Sequence, residues 1–375
     1  MIYLDNAATK KPKREVINVI NKCPTDNWGN PSSLYEFGVR AKDIVEKSRR
    51  IVADFIGADP SEIIFTSGAC ESNSQAICGY FKRYAAGLIT TSIEHKSVMN
   101  IADDYKNRTL ILEVDNNGFV NTNQLEEFLV NCSFKNALVS IQYANNEIGT
   151  IQNIKYISEL VHRYDGILHT DATQIIPDRK IDVKGIDMMS FSGQKLGATK
   201  GIGVLYVRNG IKLSPIIYGS QEKFRRGGTE NVPYIAGLGE AIKNIIYQTE
   251  ENRNYFVDRV LSEISDCYLI GCQCGNNRLK NNASICFKGV ESESVLLMLD
   301  QRGICVSSGS ACNGASLKPS YVLEAIGLPE KDIHSVVRFT FGEETKDEVD
   351  EETKDEVDVV INELKKVITW LMRIK

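Results

Sequence analysis

The sequence predicts an α/β fold built on a mostly parallel sheet, and three observations lead there. Short apolar runs of strand length recur between helix-length segments along the first two thirds of the chain. Those runs are apolar throughout, as strands covered on both faces are. Polar clusters follow the ends of successive runs, where ligands lie in such sheets.

The size suits this architecture. A chain of 375 residues, 42% hydrophobic and 25% charged, holds a large core and more than one domain. No apolar run reaches membrane-spanning length. Neither a basic n-region nor an apolar h-region stands at Met1-Ile2-Tyr3-Leu4-Asp5-Asn6. The ten cysteines lack framework or zinc spacing, which points to reduced thiols in the cytoplasm and no metal. The net charge of −5 is local in origin. Glu343–Asp350 is repeated unchanged as Glu351–Asp358, each copy with five acids and one lysine, so the pair contributes −8 and leaves the body at +3. A slightly basic body suits an anionic ligand and does not mark a nucleic-acid binder.

Taken in order, Asp5-Asn6-Ala7-Ala8-Thr9 is polar and turn-prone. Asn30-Pro31-Ser32-Ser33 supplies helix-start chemistry, and Leu34, Phe37, Ala41, Ile44, Val45, Ile51, Val52 and Phe55 follow at helical spacing. Ile63–Thr66 reads as a buried strand that turns through Ser67-Gly68 into a helix continuing past Ala76, Ile77 and Phe81. Free N–H groups at such a helix start form a candidate anion cup, or simply a βα turn. Further strands are expected at Leu88–Thr91, Thr109–Glu113, Ala137–Gln142, Ile167–Thr170, Met188–Phe191 and Ile202–Val207, with a helix over Ile154–Arg163. Beyond about residue 250 the pattern becomes α+β, with strands at Ala283–Phe287 and Val336–Phe341. Val357, Val360, Ile361, Leu364, Val367, Ile368 and Leu371 share a face of the last helix. An eight-residue repeat falls about 80° out of phase on a helix, so only one acidic copy is expected to enter it.

The polar clusters carry the chemistry. Ser67–Cys70, Glu94-His95, Asn145-Asn146-Glu147, Asp171–Gln174 and Ser192–Lys195 gather along one sheet edge. Lys195, just past a buried strand, is either a turn lysine or a desolvated amine able to condense with a carbonyl. Asp171 ends an apolar strand, where its carboxylate suits a protonated pyridine nitrogen. With His95 and the anion cup, these are the parts that pyridoxal phosphate requires.

Seven runs in order resemble the cysteine desulfurases of the class-V aminotransferase type. They are Thr66-Ser67-Gly68-Ala69-x-Glu71-Ser72-Asn73, Glu94-His95-Lys96, Asn145-Asn146-Glu147-Ile148-Gly149, His169-Thr170-Asp171-Ala172-Thr173-Gln174, Ser190-Phe191-Ser192-Gly193-x-Lys195, Arg226-Gly227-Gly228-Thr229-Glu230-Asn231 and Ser307-Ser308-Gly309-Ser310-Ala311-Cys312. The resemblance extends from Tyr3-Leu4-Asp5-Asn6-Ala7-Ala8-Thr9 to Arg338. It implies the pyridoxal-phosphate aminotransferase-like fold (fold type I). A large domain over 13–250 would hold a seven-stranded sheet, and a small α+β domain would comprise 1–12 and 251–375 and carry the cysteine loop.

It further implies conversion of L-cysteine to L-alanine by a cytoplasmic homodimer. Lys195 would be the Schiff-base lysine and the base at the substrate Cα. Asp171 would hold the pyridinium nitrogen, Gln174 the ring oxygen, and Asn146 would lie beside it, near cofactor and substrate. His95 would stack on the ring and handle protons at the substrate thiol. Ala69, Cys70, Ser192 and Gln194 would line the phosphate, with Thr229 reaching across from a second subunit. Arg338 would clamp the substrate carboxylate. Cys312, in a Ser/Gly/Ala-rich segment, would take the sulfur as a persulfide. That sulfur would pass to an acceptor protein, an iron–sulfur scaffold or a tRNA-thiolation enzyme, with no direct contact to nucleic acid or membrane. Selenocysteine lyase chemistry, or a cofactor-weakened relative acting as a binding partner, are the alternatives. Three departures surround the cofactor. Gln194 stands where the family usually has histidine, Cys70 replaces a threonine, and Leu196-Gly197-Ala198-Thr199-Lys200-Gly201 lacks the common proline.

Overall fold

The structure, a computed structural model, describes residues 1–131, 136–308, 319–342 and 354–374. Its main sheet has seven strands in the order Ile63–Thr66, Gly203–Val207, Met188–Ser192, Ile167–Asp171, Leu138–Ser140, Leu88–Thr91 and Thr109–Leu112. All share one direction except Gly203–Val207, which runs against both its neighbours.

Largely apolar runs form these strands because all but the edge strand Thr109–Leu112 are covered on both faces. Successive side chains enter opposite cores, as a two-residue period dictates. Ile63, Phe65, Ile89, Val139, Met189 and Val204 join one cluster, with Val45 and Val52 of the helix Glu36–Ile56. Ile64, Leu88, Leu138, Met188 and Leu205 join the other, with Ala76, Ile77, Tyr80 and Phe81 of the helix Ala69–Arg83.

A second, four-stranded antiparallel sheet runs Ser307–Ser308, Val336–Thr340, Asn282–Phe287, Cys267–Leu269. The helices Glu251–Glu263, Ser292–Asp300 and Lys354–Arg373 pack on it through Phe256, Val260, Leu299, Val360 and Leu364. The N-terminus belongs with this layer. Ile2–Tyr3 pairs in parallel with Ile304–Cys305, and Leu4 is buried among the same side chains.

Three details differ from the sequence pattern or complete it. Leu34 lies outside the helix and is 97% exposed. Asn30–Ser33 forms a turn ahead of the helix, closed by Ser33 N–H to the Asn30 carbonyl, and Gly38 packs against it. The strand Val336–Thr340 is buried along its whole length, Arg338 included. The last helix starts at Lys354, inside the second acidic copy, and buries Val357; the first copy lies outside the described residues. No helix among the described residues is long and apolar enough to cross a membrane.

Candidate active site

The strand Met188–Ser192 ends in a tight turn, Gly193–Lys195, that turns Lys195 inward. A Cβ on Gly193 would lie 2.8 Å from Ile202, so the turn requires glycine. Lys195 is 8% exposed, and burying an ammonium requires acceptors around it. Its Nζ donates to the carbonyl of Ala7 at 2.6 Å and to that of Ala8. Gln174 Nε2 donates to the same Ala7 carbonyl at 3.1 Å.

Asp171 ends the neighbouring strand, in register with Ser190. Its Oδ2 accepts from Asn73 Nδ2 at 2.8 Å, and its Oδ1 from the Thr173 N–H at 3.0 Å. Two residues back, His169 lies between the hydroxyls of Ser140 (2.8 Å) and Ser190 (2.9 Å). Burial pushes its pKa down to about 4, so the ring is neutral near pH 7.

His95 caps the helix Lys96–Asp104. Its Nδ1 accepts the Ser97 N–H at 3.1 Å and lies 2.8 Å from the Ser97 hydroxyl. The helix Ala69–Arg83 begins at Gly68 without a side-chain cap, which sets the dipole's positive end at Ala69 and Cys70. Ser192 Oγ lies 3.9 Å from where a Cβ of Gly68 would be, which places this hydroxyl at the helix start. Cys70 is exposed and Gln194 half-buried. Arg226 pairs with Glu71 of the first helical turn at 2.8 Å, which brings the loop bearing the exposed Thr229 to that helix.

Arg338 is 3% exposed. Its Nη2 donates to Asp5 Oδ1 at 2.8 Å and its Nη1 to the Asn146 carbonyl at 3.0 Å. Its Nε is buried and has no hydrogen-bond partner among the described residues. Of the five guanidinium N–H groups these two bonds use two, and the Nε one is among those left for a further acceptor. Cys312 lies outside the described residues. On either side of that segment, Ser307 pairs with Arg338 in the sheet, and the Ser320 hydroxyl donates to Glu147 Oε2 at 2.6 Å.

The sequence pattern missed several residues here. Asp5, Ala7 and Ala8 form part of the site; Tyr3–Thr9 was legible as a motif but not as a set of carbonyl acceptors. Glu94 and Glu147 are deeply buried acids. Burial raises Glu94 to about 8, against the opposing donation of the Gln142 N–H and the Thr91 hydroxyl. Burial likewise raises Glu147 to about 7, opposed by Ser320, Arg338 and Lys96. Strand and turn signals alone do not reveal such burial.

The chain is similar to known proteins over most of its length. The Aminotransferase class-V family profile matches residues 2–351. The cysteine desulfurase IscS of Dictyoglomus turgidum is 41% identical over 363 residues, covering 92% of this chain and 91% of that relative. Among solved structures, a NifS-like protein superposes with a TM-score of 0.89 at 28% identity, over 99% of this chain and 100% of that one. A structure described as SspA in complex with cysteine does so with a TM-score of 0.80 at 35% identity, over 91% and 98%.

Proposed function

Because the chain belongs to the class-V aminotransferase family, and within it to the cysteine desulfurases, we propose that it converts L-cysteine to L-alanine. The sulfur would pass to Cys312 as a persulfide, for iron–sulfur cluster assembly or tRNA thiolation. The single observation that carries the proposal is the buried Lys195, turned inward at a strand end beside Asp171.

The residues present fit pyridoxal 5'-phosphate. A carboxylate at a strand end, an inward amine and an uncapped helix start with a hydroxyl beside it match ring nitrogen, aldehyde and phosphate in turn. Ala69, Cys70, Ser192 and Gln194 would hold the phosphate, and Asp171, Gln174, Asn146 and His95 the ring. Thr229 would complete the cup from a partner in a homodimer. Bound there, the cofactor supplies an electron sink for negative charge at the substrate Cα.

The chain's own residues do the rest. Arg338 would clamp the substrate carboxylate through guanidinium N–H groups not used on Asp5 and Asn146. Lys195 moves the proton at the substrate Cα. Cys312 bonds to the substrate sulfur as the carbon–sulfur bond breaks, leaving alanine. The relative described as holding cysteine supports L-cysteine as the substrate. We also place the division into a large unit at 13–250 and a small one at 1–12 with 251–375, supported by the packing of Leu4 with the C-terminal layer. A cytoplasmic setting is supported by the lack of disulfide-framework spacing among the ten cysteines.

Purified protein is expected to show the visible absorbance of lysine-bound cofactor, and Lys195→Ala to lose it. Cys312→Ser should keep that absorbance and lose sulfide release from cysteine; sulfide release retained in Cys312→Ser would overturn the assigned acceptor. A colourless protein that cannot be reconstituted would favour the binding-partner alternative, and relative rates on cysteine and selenocysteine separate the two substrates.

A further inference from the structure

Asn73 and Ser97, which carry no role above, connect the two groups placed around the cofactor ring. Asn73 is fully buried on the helix Ala69–Arg83. Its Nδ2 donates in two directions, to Asp171 Oδ2 at 2.8 Å and to Ser97 Oγ at 2.9 Å. A carboxylate only accepts, so the amide must turn its NH₂ this way. The Ser97 hydroxyl, already accepting from Asn73, keeps its own hydrogen for His95 Nδ1 at 2.8 Å. That nitrogen also receives the Ser97 backbone N–H at 3.1 Å. Two donors converge on Nδ1, so a neutral His95 carries its hydrogen on Nε2.

A second observation indicates that the amide is retained for its donors. Asn73 Oδ1 is buried and has no hydrogen-bond partner among the described residues. Leaving such an oxygen unmet costs about 1–3 kcal/mol, which an apolar side chain of similar size would avoid.

We infer that Asn73 and Ser97 are positioning residues that tie Asp171 to His95 and fix His95 as an Nε2–H donor toward the substrate. The one acceptor nitrogen of this tautomer is occupied by Ser97. His95 therefore donates a hydrogen bond at the substrate thiol and does not act as the base there. This rests on the placement of His95 and Asp171 at the cofactor ring, whereas the hydrogen-bond chain is a property of the polypeptide itself.

The test uses full-length protein labelled with ¹⁵N-histidine, with and without added pyridoxal phosphate, the His95 signals being assigned by their absence in His95→Gln. Wild type should show a protonated Nε2 and an unprotonated Nδ1 in both preparations. Ser97→Ala and Asn73→Leu should move His95 toward a tautomer mixture and lower kcat/KM for L-cysteine by about tenfold, less than the roughly 10²–10⁴-fold contribution of a general acid–base group itself. Ser97→Thr, which keeps the hydroxyl, should restore both. Hydrogen on Nδ1 in wild type would overturn the inference. So would wild-type kcat/KM and pH profile in Ser97→Ala, a half-buried site at which truncation is mild. An Nε2–H signal in a protein that never takes up pyridoxal phosphate would uphold the hydrogen-bond chain and count against the cofactor assignment alone.

Discussion

Replacing Glu94 by glutamine should change how stability depends on pH, by an amount the structure bounds. Glu94 is completely buried. Its carboxyl accepts the Thr91 hydroxyl at 2.7 Å and the Gln142 N–H at 2.9 Å, yet burial still raises its pKa from 4.5 to about 8. An acid whose native pKa lies above its unfolded value takes up a proton on folding. Its contribution is therefore complete below pH 4.5 and lost as pH rises through about 8. At about 1.4 kcal/mol per pH unit of separation, the ceiling is about 5 kcal/mol, and relaxation in a real interior makes about 2–4 more realistic. Glutamine keeps a carbonyl for the same donors and cannot ionise. Its extra N–H groups add an offset that does not vary with pH.

Urea unfolding of both proteins from pH 5 to 9, after cofactor removal, isolates the titrating part, because other groups such as His169 are common to both. Stability of Glu94→Gln relative to wild type should rise by about 2–4 kcal/mol across that range. A difference that stays flat within about 0.5 kcal/mol would refute the burial argument.

Other substitutions probe the cofactor end. Gly203→Ala puts a Cβ 2.5 Å from the Gly68 backbone, so it should cost about 1–3 kcal/mol as overpacking and weaken pyridoxal phosphate binding; unchanged melting temperature and affinity would count against a tight cup. Gln194→His adds an ionisable donor at the proposed phosphate position, so the cofactor dissociation constant should fall; an equal or higher value would show that glutamine is no handicap. Thr340→Val removes the hydroxyl that accepts the Ala7 N–H at 2.9 Å. It should cost about 1–3 kcal/mol and loosen the carbonyls around Lys195, read as a rise in the dissociation constant. Unaltered cofactor affinity would sever that link.

The sheet was legible because its strands are covered on both faces. Runs such as Ile63–Thr66 and Met188–Ser192 have no other use, and the ligand edge follows from strand direction. The direction of Gly203–Val207 was not legible, since parallel and antiparallel strands of equal burial share one pattern. Arg338 shows the same limit. Its neighbours fit a half-exposed strand, but Val337 and Phe339 face the layer of Phe256, Val260 and Leu364 while Arg338 on the other face is covered by Asp5 and the Asn146 carbonyl, so the strand is buried on both faces. Lys195 and Asp171 were visible as ionisable residues placed where apolar strands stop. The carbonyls that receive Lys195 were invisible, because every residue has a carbonyl and only tertiary contact selects which ones matter.

The N-terminal segment then acquires a role that its length does not suggest. Asp5 holds Arg338, Ala7 and Ala8 hold Lys195, and the Ala7 carbonyl also takes Gln174. The segment is fixed by Thr340, whose carbonyl accepts Asn6 Nδ2 at 2.9 Å and whose hydroxyl accepts the Ala7 N–H. Thr340 lies on the same strand as Arg338, two residues on and so on the same face. One strand of the C-terminal layer thus carries the proposed carboxylate clamp and also anchors the segment that positions the amine of the large sheet. Both cations therefore contact the same short N-terminal segment. The amine and guanidinium, on whose spacing orientation of an amino-acid substrate depends, are thus linked by a short chain of hydrogen bonds that joins the two sheets.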